Sequence, residues 1–565
     1  MNLGRTLARH GPLLSGLFAF SLVTLHTVDN MFGVDNAWKT WLVANGMDKF
    51  FELRSSELKL TNFLAMSAAL PLILLFNLMT TERSFFGVLA ALTHGSIIAT
   101  WGNGGTARMS AAKHVLASFV VFLVCEAVKL IKAGAQLRKW RSDIKNLEAL
   151  AGAEKEGRRV LILYANVGSG HKSAANAVDD ALSEIAPDVT TQKLDLFDVA
   201  SPAFKFAAQT MFQKMTQSLA GQHSLGLLYD LGDHGNEKAK FQRVMEDLAG
   251  SKLVNKIAEF RPDTIVCTHF LPAQLVASIK AASEVIGSRV KLGLVITDLD
   301  LQSMWMQERA VDVYFLPRDA SAIVLSDYEA KAEELRQKKK KKRPSKLKAV
   351  SKKVVSGIPI SPRFTKAVEL KQSDNNWLHS CYDIFNLDKA DKRPVVTIMS
   401  GGSKIEALFA RALAVKTPLR FVVVMGRQAD IREKLSDIVV PSRHSVELVG
   451  FCKEMPKLLA VTDVMLGKCG GLTAAENAAM GVPLIIPELI PGQESRNADV
   501  LLEAGAALKV NDLALVTAKL EAVVKEGGRL EKLKVGMRSI AKPNSPYTVA
   551  NEILHGNEKA WRGGE

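Results

Sequence analysis

Residues 463–497 read DVMLGKCGGLTAAENAAMGVPLIIPELIPGQESRN, and no other stretch restricts the fold as tightly. An apolar run enters a Gly-Gly turn, an Ala-rich segment with helical spacing follows, and a second apolar run closed by Pro ends in a polar loop. That is strand, turn, helix and strand in the order of a parallel α/β sheet. The turn sets the backbone NH groups of Gly470 and Gly471 at a helix N-terminus, where unpaired donors and the helix dipole favour a diphosphate. Glu476, one turn further in, is placed to accept from ribose hydroxyls. Thr473-x-x-Glu476 also has the spacing of a capping box, which would satisfy orphan NH groups and bind nothing.

A second Gly-rich turn lies far upstream in RVLILYANVGSGHKSAANAVDDAL, residues 159–182. It reads as a buried strand, a Gly-Ser-Gly turn and a helix opening at His171. The phosphate-loop pattern fails, because His171 separates Gly170 from Lys172 and Ser173, and a full G-x-G-x-x-G is also missing. What remains is a histidine at the carboxyl edge of a parallel sheet, where open α/β folds place their chemistry. An unperturbed imidazole, with a pKa of about 6.5, suits proton abstraction near neutral pH.

The 565 residues suffice for three regions. Cys125, Cys267, Cys381, Cys452 and Cys469 show no metal-ligand spacing and read as free thiols of a reducing compartment. Of the formal charge of +15, the window Lys331–Lys353 supplies +10. It contains KKKKKRPSKLK without the interleaved aromatics or recognition helix of a nucleic-acid site, so a solvated loop facing anionic lipid is expected. The segments 11–28, 60–81 and 84–107 carry no Asp, Glu, Lys or Arg, and HVLASFVVFLVCEAVKLI is broken only by Glu126 and Lys129. The first three read as bilayer-spanning segments, and the fourth as one that spans or lies along the interface, about four in all. Basic residues at both ends of the region place those ends, and the chain that follows, on the cytoplasmic side. The expected organisation is a membrane-embedded helical region at 1–140, a charged linker at 141–158, an α/β domain at 159–370 with a basic loop at 331–353, a second at 371–545, and a tail at 546–565.

The motifs GSGHKSAANA, CTHFLPAQLV, VITDLDLQSMW, SGIPI and GKCGGLTAAENAAMGVPLIIPELIPGQESRNA resemble the monogalactosyldiacylglycerol synthase and processive diacylglycerol glucosyltransferase family, in the family's order over residues 157–545. The resemblance implies a GT-B fold: two Rossmann-like domains facing across a cleft, with a UDP-sugar on the C-terminal one and the acceptor on the N-terminal one. It implies inverting transfer of a hexose to a membrane lipid, diacylglycerol above all, by an enzyme integral to or tightly associated with the membrane. Transfer to a polyprenyl-linked carrier, UDP-sugar epimerisation, and a non-catalytic lipid- or nucleotide-binding module are the alternatives.

By the same resemblance His171 is the base. Gly401, Gly402 and Ser403 at the first turn of the second domain, with Gly470, Gly471, Leu472 and Thr473, would surround the diphosphate. Glu476 would hold the ribose, Gln493 and Glu494 the sugar hydroxyls, and Asn497 would complete the donor side. Gly168, Gly170, His269, Asp298 and Trp305 would form the acceptor side. UDP-sugar is then a co-substrate, no cofactor or metal is required, and Asp298-Leu-Asp300 is not read as a metal motif. The chain departs from the family at Gln302, where a His of His-x-x-Trp is usual, at Cys469, where Pro is common, and in SGGSKIE, which has fewer glycines than usual.

Overall fold

The computed structural model describes residues 139, 142–146, 157–200, 205, 252–306, 310–338, 351–399, 405–426, 429–487, 492–525, 527 and 529–556. The four expected membrane segments, the Gly401–Ser403 turn, the centre of the basic run and the end of the tail lie outside the described residues. No helix among the described residues is long and apolar enough to cross a membrane. The chain divides into Met1–Lys139 and Trp140–Glu565, and both sheets described below lie in the second unit.

Two six-stranded sheets form its core, every pairing in them parallel. The first contains β1 (Arg159–Tyr164), β2 (Thr190–Asp195), β3 (Thr264–Cys267), β4 (Lys291–Val295), β5 (Val313–Leu316) and β6 (Lys352–Val355), in the order β2-β1-β3-β4-β5-β6. The second contains β7 (Val395–Met399), β8 (Arg420–Val424), β9 (Ser445–Val449), β10 (Val464–Gly467), β11 (Leu484–Ile486) and β12 (Ala507–Lys509), in the order β12-β11-β10-β7-β8-β9.

Strand order reverses at β1/β3 in the first sheet and at β7/β10 in the second. In open α/β sheets the crevice at such a reversal, outside the carboxyl ends of the strands, is where ligands bind. The helix α1 (Ser169–Ile185) follows β1, and α2 (Phe270–Ala282) follows β3. Further on, α3 (Asp319–Lys338) follows β5, α4 (Gly471–Met480) follows β10, and α5 (Gln493–Glu503) follows β11. Both Gly-rich turns therefore stand at reversal points.

Period-two alternation fills both faces of each sheet. In β1, Leu161 and Leu163 enter one apolar cluster with β3, β4 and α2, while Val160 and Ile162 enter another on the opposite face. That opposite face is covered in part by α6 (Ser545–His555), which lies in PNSPYTVANEILHG and crosses back from the second half. Val549, Ala550 and Ile553 pack there beside Val178 and Leu182, and Arg158 donates to the carbonyls of Ile553 and Leu554 at 2.6 and 2.5 Å.

Two details differ from the sequence reading. The expected basic loop at 331–353 begins inside α3 and ends inside β6: Lys331 pairs with Asp327, Lys352 with Glu552, and Lys353 with Glu329. Three of its cations are thus paired with carboxylates, Lys331 along its own helix and Lys352 and Lys353 from β6. The division at 370 falls within the helix Pro362–Ser373, whose Phe364 and Ala367 lie in an apolar cluster of the second half with Leu458 and Met480.

Candidate active site

His171 stands at the third position of α1, which opens at Ser169, two residues earlier than the start at His171 read from the sequence, behind a Gly168 at φ 141°. That φ is open to glycine and strained for other residues. Across the β1/β3 reversal, His171 Nδ1 lies 3.0 Å from the Thr268 carbonyl and 3.0 Å from Thr297 Oγ1, and Thr268 Oγ1 donates to the His171 carbonyl at 2.9 Å. A carbonyl only accepts, so Nδ1 carries the proton and Nε2 keeps its lone pair. Nε2 has no partner among the described residues. Burial lowers the His171 pKa to about 4, against a smaller opposing pull from the Thr268 carbonyl. This corrects the expectation of an unperturbed imidazole: burial keeps the ring neutral at physiological pH.

His269 caps α2, its Nδ1 accepting from Leu271 NH at 3.0 Å, and its ring meets His171 edge-on at 4.3 Å. Burial holds its pKa well below the usual histidine range, with the nearby His171 adding to the effect. Trp305 is buried 6.2 Å from His171 and 6.1 Å from His269. The two sequence-predicted acceptor-side rings thus form the wall behind the imidazole.

On the opposite side, α4 begins at Gly471 with Gly470 as N-cap and no side-chain cap. Thr473 therefore lies inside the helix, and the capping-box reading fails on geometry. Glu476 is half-buried and has no hydrogen bond or ion pair among the described residues. Burial alone pushes its carboxyl up to about 8. An unpartnered carboxylate beside a Gly-Gly helix start is costly unless something donates to it. Lys468, at the end of β10, is likewise half-buried and without an ion-pair partner among the described residues. Sequence reasoning passed over it, although a cation just before a Gly-Gly turn is a signal for an anion.

The two turns meet. A Cβ at Gly170 would lie 4.0 Å from Leu472 Cβ, and one at Gly471 would overlap the Thr297 carbonyl oxygen. Beside them, Asp298 accepts from Trp305 Nε1 at 3.0 Å and from the Gln493 amide, and Leu299 NH donates to Asn497 Oδ1 at 2.8 Å. Asp300 pairs with Arg318 at 3.2 Å and Arg496 at 3.7 Å. Burial raises the Asp298 carboxyl to about 6, with the Gln493 and Trp305 hydrogen bonds opposing that shift. Glu494 is buried, and its carbonyl receives the Cys469 thiol at 3.2 Å, which ties the Gly-Gly turn to the PGQE segment where the family often has Pro.

His171, His269, Asp298, Trp305, Gly168 and Gly170 are therefore brought together with Gly470, Gly471, Leu472, Gln493 and Asn497. Gln493 and Asn497, expected on the donor side, both bind the loop after β4 through their side chains. Gln302 is buried at 4 % exposure, and neither amide atom has a partner among the described residues. Thr268 and Thr297, which set the tautomer of His171, were absent from the sequence reading.

Each of the two apposed helix starts lies in a half of the chain that resembles a known family. Residues 171–326 match the monogalactosyldiacylglycerol (MGDG) synthase family model, and residues 395–550 match the glycosyltransferase family 28 C-terminal domain. The chain is a glycosyltransferase of the family 28 type. It joins an MGDG synthase domain to that C-terminal domain and is related to diacylglycerol glucosyltransferases. The processive diacylglycerol beta-glucosyltransferase of Bacillus pumilus (strain SAFR-032) is 26% identical over 402 residues, 70% of this chain and 94% of that protein. Its namesake in Bacillus subtilis (strain 168) is 26% identical over 404 residues, 71% of this chain and 96% of that protein. Among solved structures, MurG of Acinetobacter baumannii aligns with a TM-score of 0.45 at 16% identity, over 70% of this chain and 99% of that one. A UDP-GlcNAc 2-epimerase from Neisseria meningitidis, bound to UDP-GlcNAc, aligns with a TM-score of 0.42 at 14% identity, over 70% and 99%.

Proposed function

We propose that the protein transfers a hexose from a UDP-sugar to the free hydroxyl of diacylglycerol, with inversion at the anomeric carbon. The observation that carries this reading is the His171 imidazole. Its Nδ1 proton is held by the Thr268 carbonyl, its Nε2 lone pair has no partner among the described residues, and its helix start lies against that of α4. The acceptor oxygen attacks the anomeric carbon from the His171 side and its proton passes to Nε2. The bond from that carbon to the diphosphate oxygen breaks, and UDP leaves with the electron pair. One base acting on the face opposite the leaving group gives inversion.

The NH groups at the start of α4 and the Lys468 ammonium would stabilise the departing charge. Gly401, Gly402 and Ser403 would add donors to the diphosphate. Glu476 would accept from the ribose hydroxyls, and Gln493 and Glu494 would meet the sugar. Charge neutralisation then comes from the chain itself, and no metal or cofactor is needed. The acceptor never leaves the bilayer, so the protein works at a membrane, its apolar N-terminal region and basic run holding it to the cytoplasmic face.

The test is a panel of labelled UDP-sugars incubated with the protein and diacylglycerol in vesicles, followed by lipid chromatography. A labelled glycolipid and free UDP are expected. In His171→Ala, turnover should fall by about 100-fold or more, the scale of a lost general base, while UDP binding is retained. Near-normal turnover in a folded variant would refute the assignment.

A further inference from the structure

Gln493 opens α5, and its amide nitrogen donates to Oδ1 of Asp298, on the loop after β4. The other carboxylate oxygen, Oδ2, accepts from Trp305 Nε1 at 3.0 Å. Asp298 is only 3 % exposed, so one buried carboxylate joins the PGQE segment to the aromatic wall behind His171. An amide has a donating NH2 and an accepting oxygen, and a carboxylate only accepts. The contact with Asp298 therefore consumes the NH2 end of Gln493. Its Oε1 has no partner among the described residues.

From this arrangement we infer that Asp298 is a positioning residue for the donor sugar: it locks the Gln493 amide so that a sugar hydroxyl is read by an acceptor oxygen. Without the carboxylate the amide is free to turn and present NH2 instead. The inference rests on the reading of Gln493 as a sugar contact. It adds that the orientation of this contact, and so the demand for a donating hydroxyl at that place on the sugar, is imposed from the other half of the molecule. Leu299–Asn497, Asp300–Arg496 and Asp300–Arg318 hold the same loop independently. Removing the Asp298 charge therefore leaves the halves attached.

The experiment is a double-mutant cycle with Asp298→Asn and Gln493→Ala, measuring the dissociation constant for UDP and the KM for UDP-sugar. UDP affinity should stay within about twofold of the original in all three variants, because nothing on the uridine side is touched. The KM for UDP-sugar should rise about tenfold in each single variant, near the lower end for a hydrogen bond to a charged group. It should rise no further in the double variant, since contacting residues that act through one interaction do not add. Multiplying effects, or an unchanged donor KM in Asp298→Asn, would overturn the inference.

If Asp298→Asn melts far below the original protein, Gln493→Glu carries the test from the other side. It keeps acceptor oxygens but lacks the NH2 donor, so it should lose donor affinity as Gln493→Ala does; a donor KM like the original's would overturn the inference. If the protein transfers no hexose from any UDP-sugar, the functional reading fails by itself. Calorimetric binding of UDP against UDP-sugar across the same cycle then still decides whether the two residues are coupled.

Discussion

Glu476 shows how a single side chain can be poorly placed for folding and well placed for a ligand. Its carboxyl titrates at about 8 in the folded protein against a reference of 4.5. The folded state thus holds the proton more tightly than the unfolded chain does. By linkage, stability attributable to this group is complete below the unfolded value and is lost as pH rises through the folded one. Glu476→Gln, which cannot ionise, should therefore melt at a higher temperature than the original at pH 9 and at nearly the same temperature at pH 4. Ribose hydroxyls prefer the ionised carboxylate, so UDP affinity should tighten between pH 7 and 9 in the original and stay level in the Gln variant. Calorimetry at three pH values checks this. A Gln variant that binds UDP as well as the original at pH 9 would leave Glu476 without a part in recognition.

At the scale of elements, the two Gly-rich turns were legible because glycine, followed by an apolar helix and preceded by a β-rich run, marks a strand-to-helix corner in any parallel sheet. Their apposition was not legible, since it depends on where two sheets lie, and nothing in GSGHKS or GKCGGLT encodes the other. The tautomer of His171 was illegible for a related reason, because it is set by the Thr268 backbone carbonyl, which every residue type supplies equally. The β6 lysines misled the reading because their partners, Glu329 and Glu552, are remote in sequence. Adjacent glycines of the second turn should now behave differently. A Cβ at Gly470 meets nothing within 4 Å, whereas one at Gly471 collides with the Thr297 backbone. Gly471→Ala should cost about 1 to 3 kcal/mol, the range for overpacking, and Gly470→Ala should leave the melting temperature nearly unchanged. Equal melting of the two variants would show that the halves do not rest against each other as described.

For the whole molecule, the unequal distribution of charge bears on how the site would reach the proposed acceptor, a lipid that stays in the bilayer. Of the cations between Lys331 and Lys353, those at the two ends are tied down by Asp327, Glu329 and Glu552. The remaining excess is therefore concentrated in KKKKKRPSKLK, and it emerges between α3 and β6 on the half that carries His171. Each such residue near an anionic surface contributes on the order of 1 kcal/mol, and the attraction decays within a Debye length of about 8 Å at physiological salt. A protein limited to residues 140–565, which form a compact unit, removes the apolar N-terminal region that would mask the effect. Replacing Lys338 to Lys342 by Ser in that protein should lower cosedimentation with vesicles rich in anionic lipid, with the difference shrinking as salt rises. UDP affinity should not change, because the segment joins α3 to β6 in the half that carries His171, while Glu476 and the Gly-Gly helix start belong to the other. Equal vesicle binding by both versions at low salt would mean that the run is a solvated loop, and that the N-terminal region alone brings the cleft to its lipid.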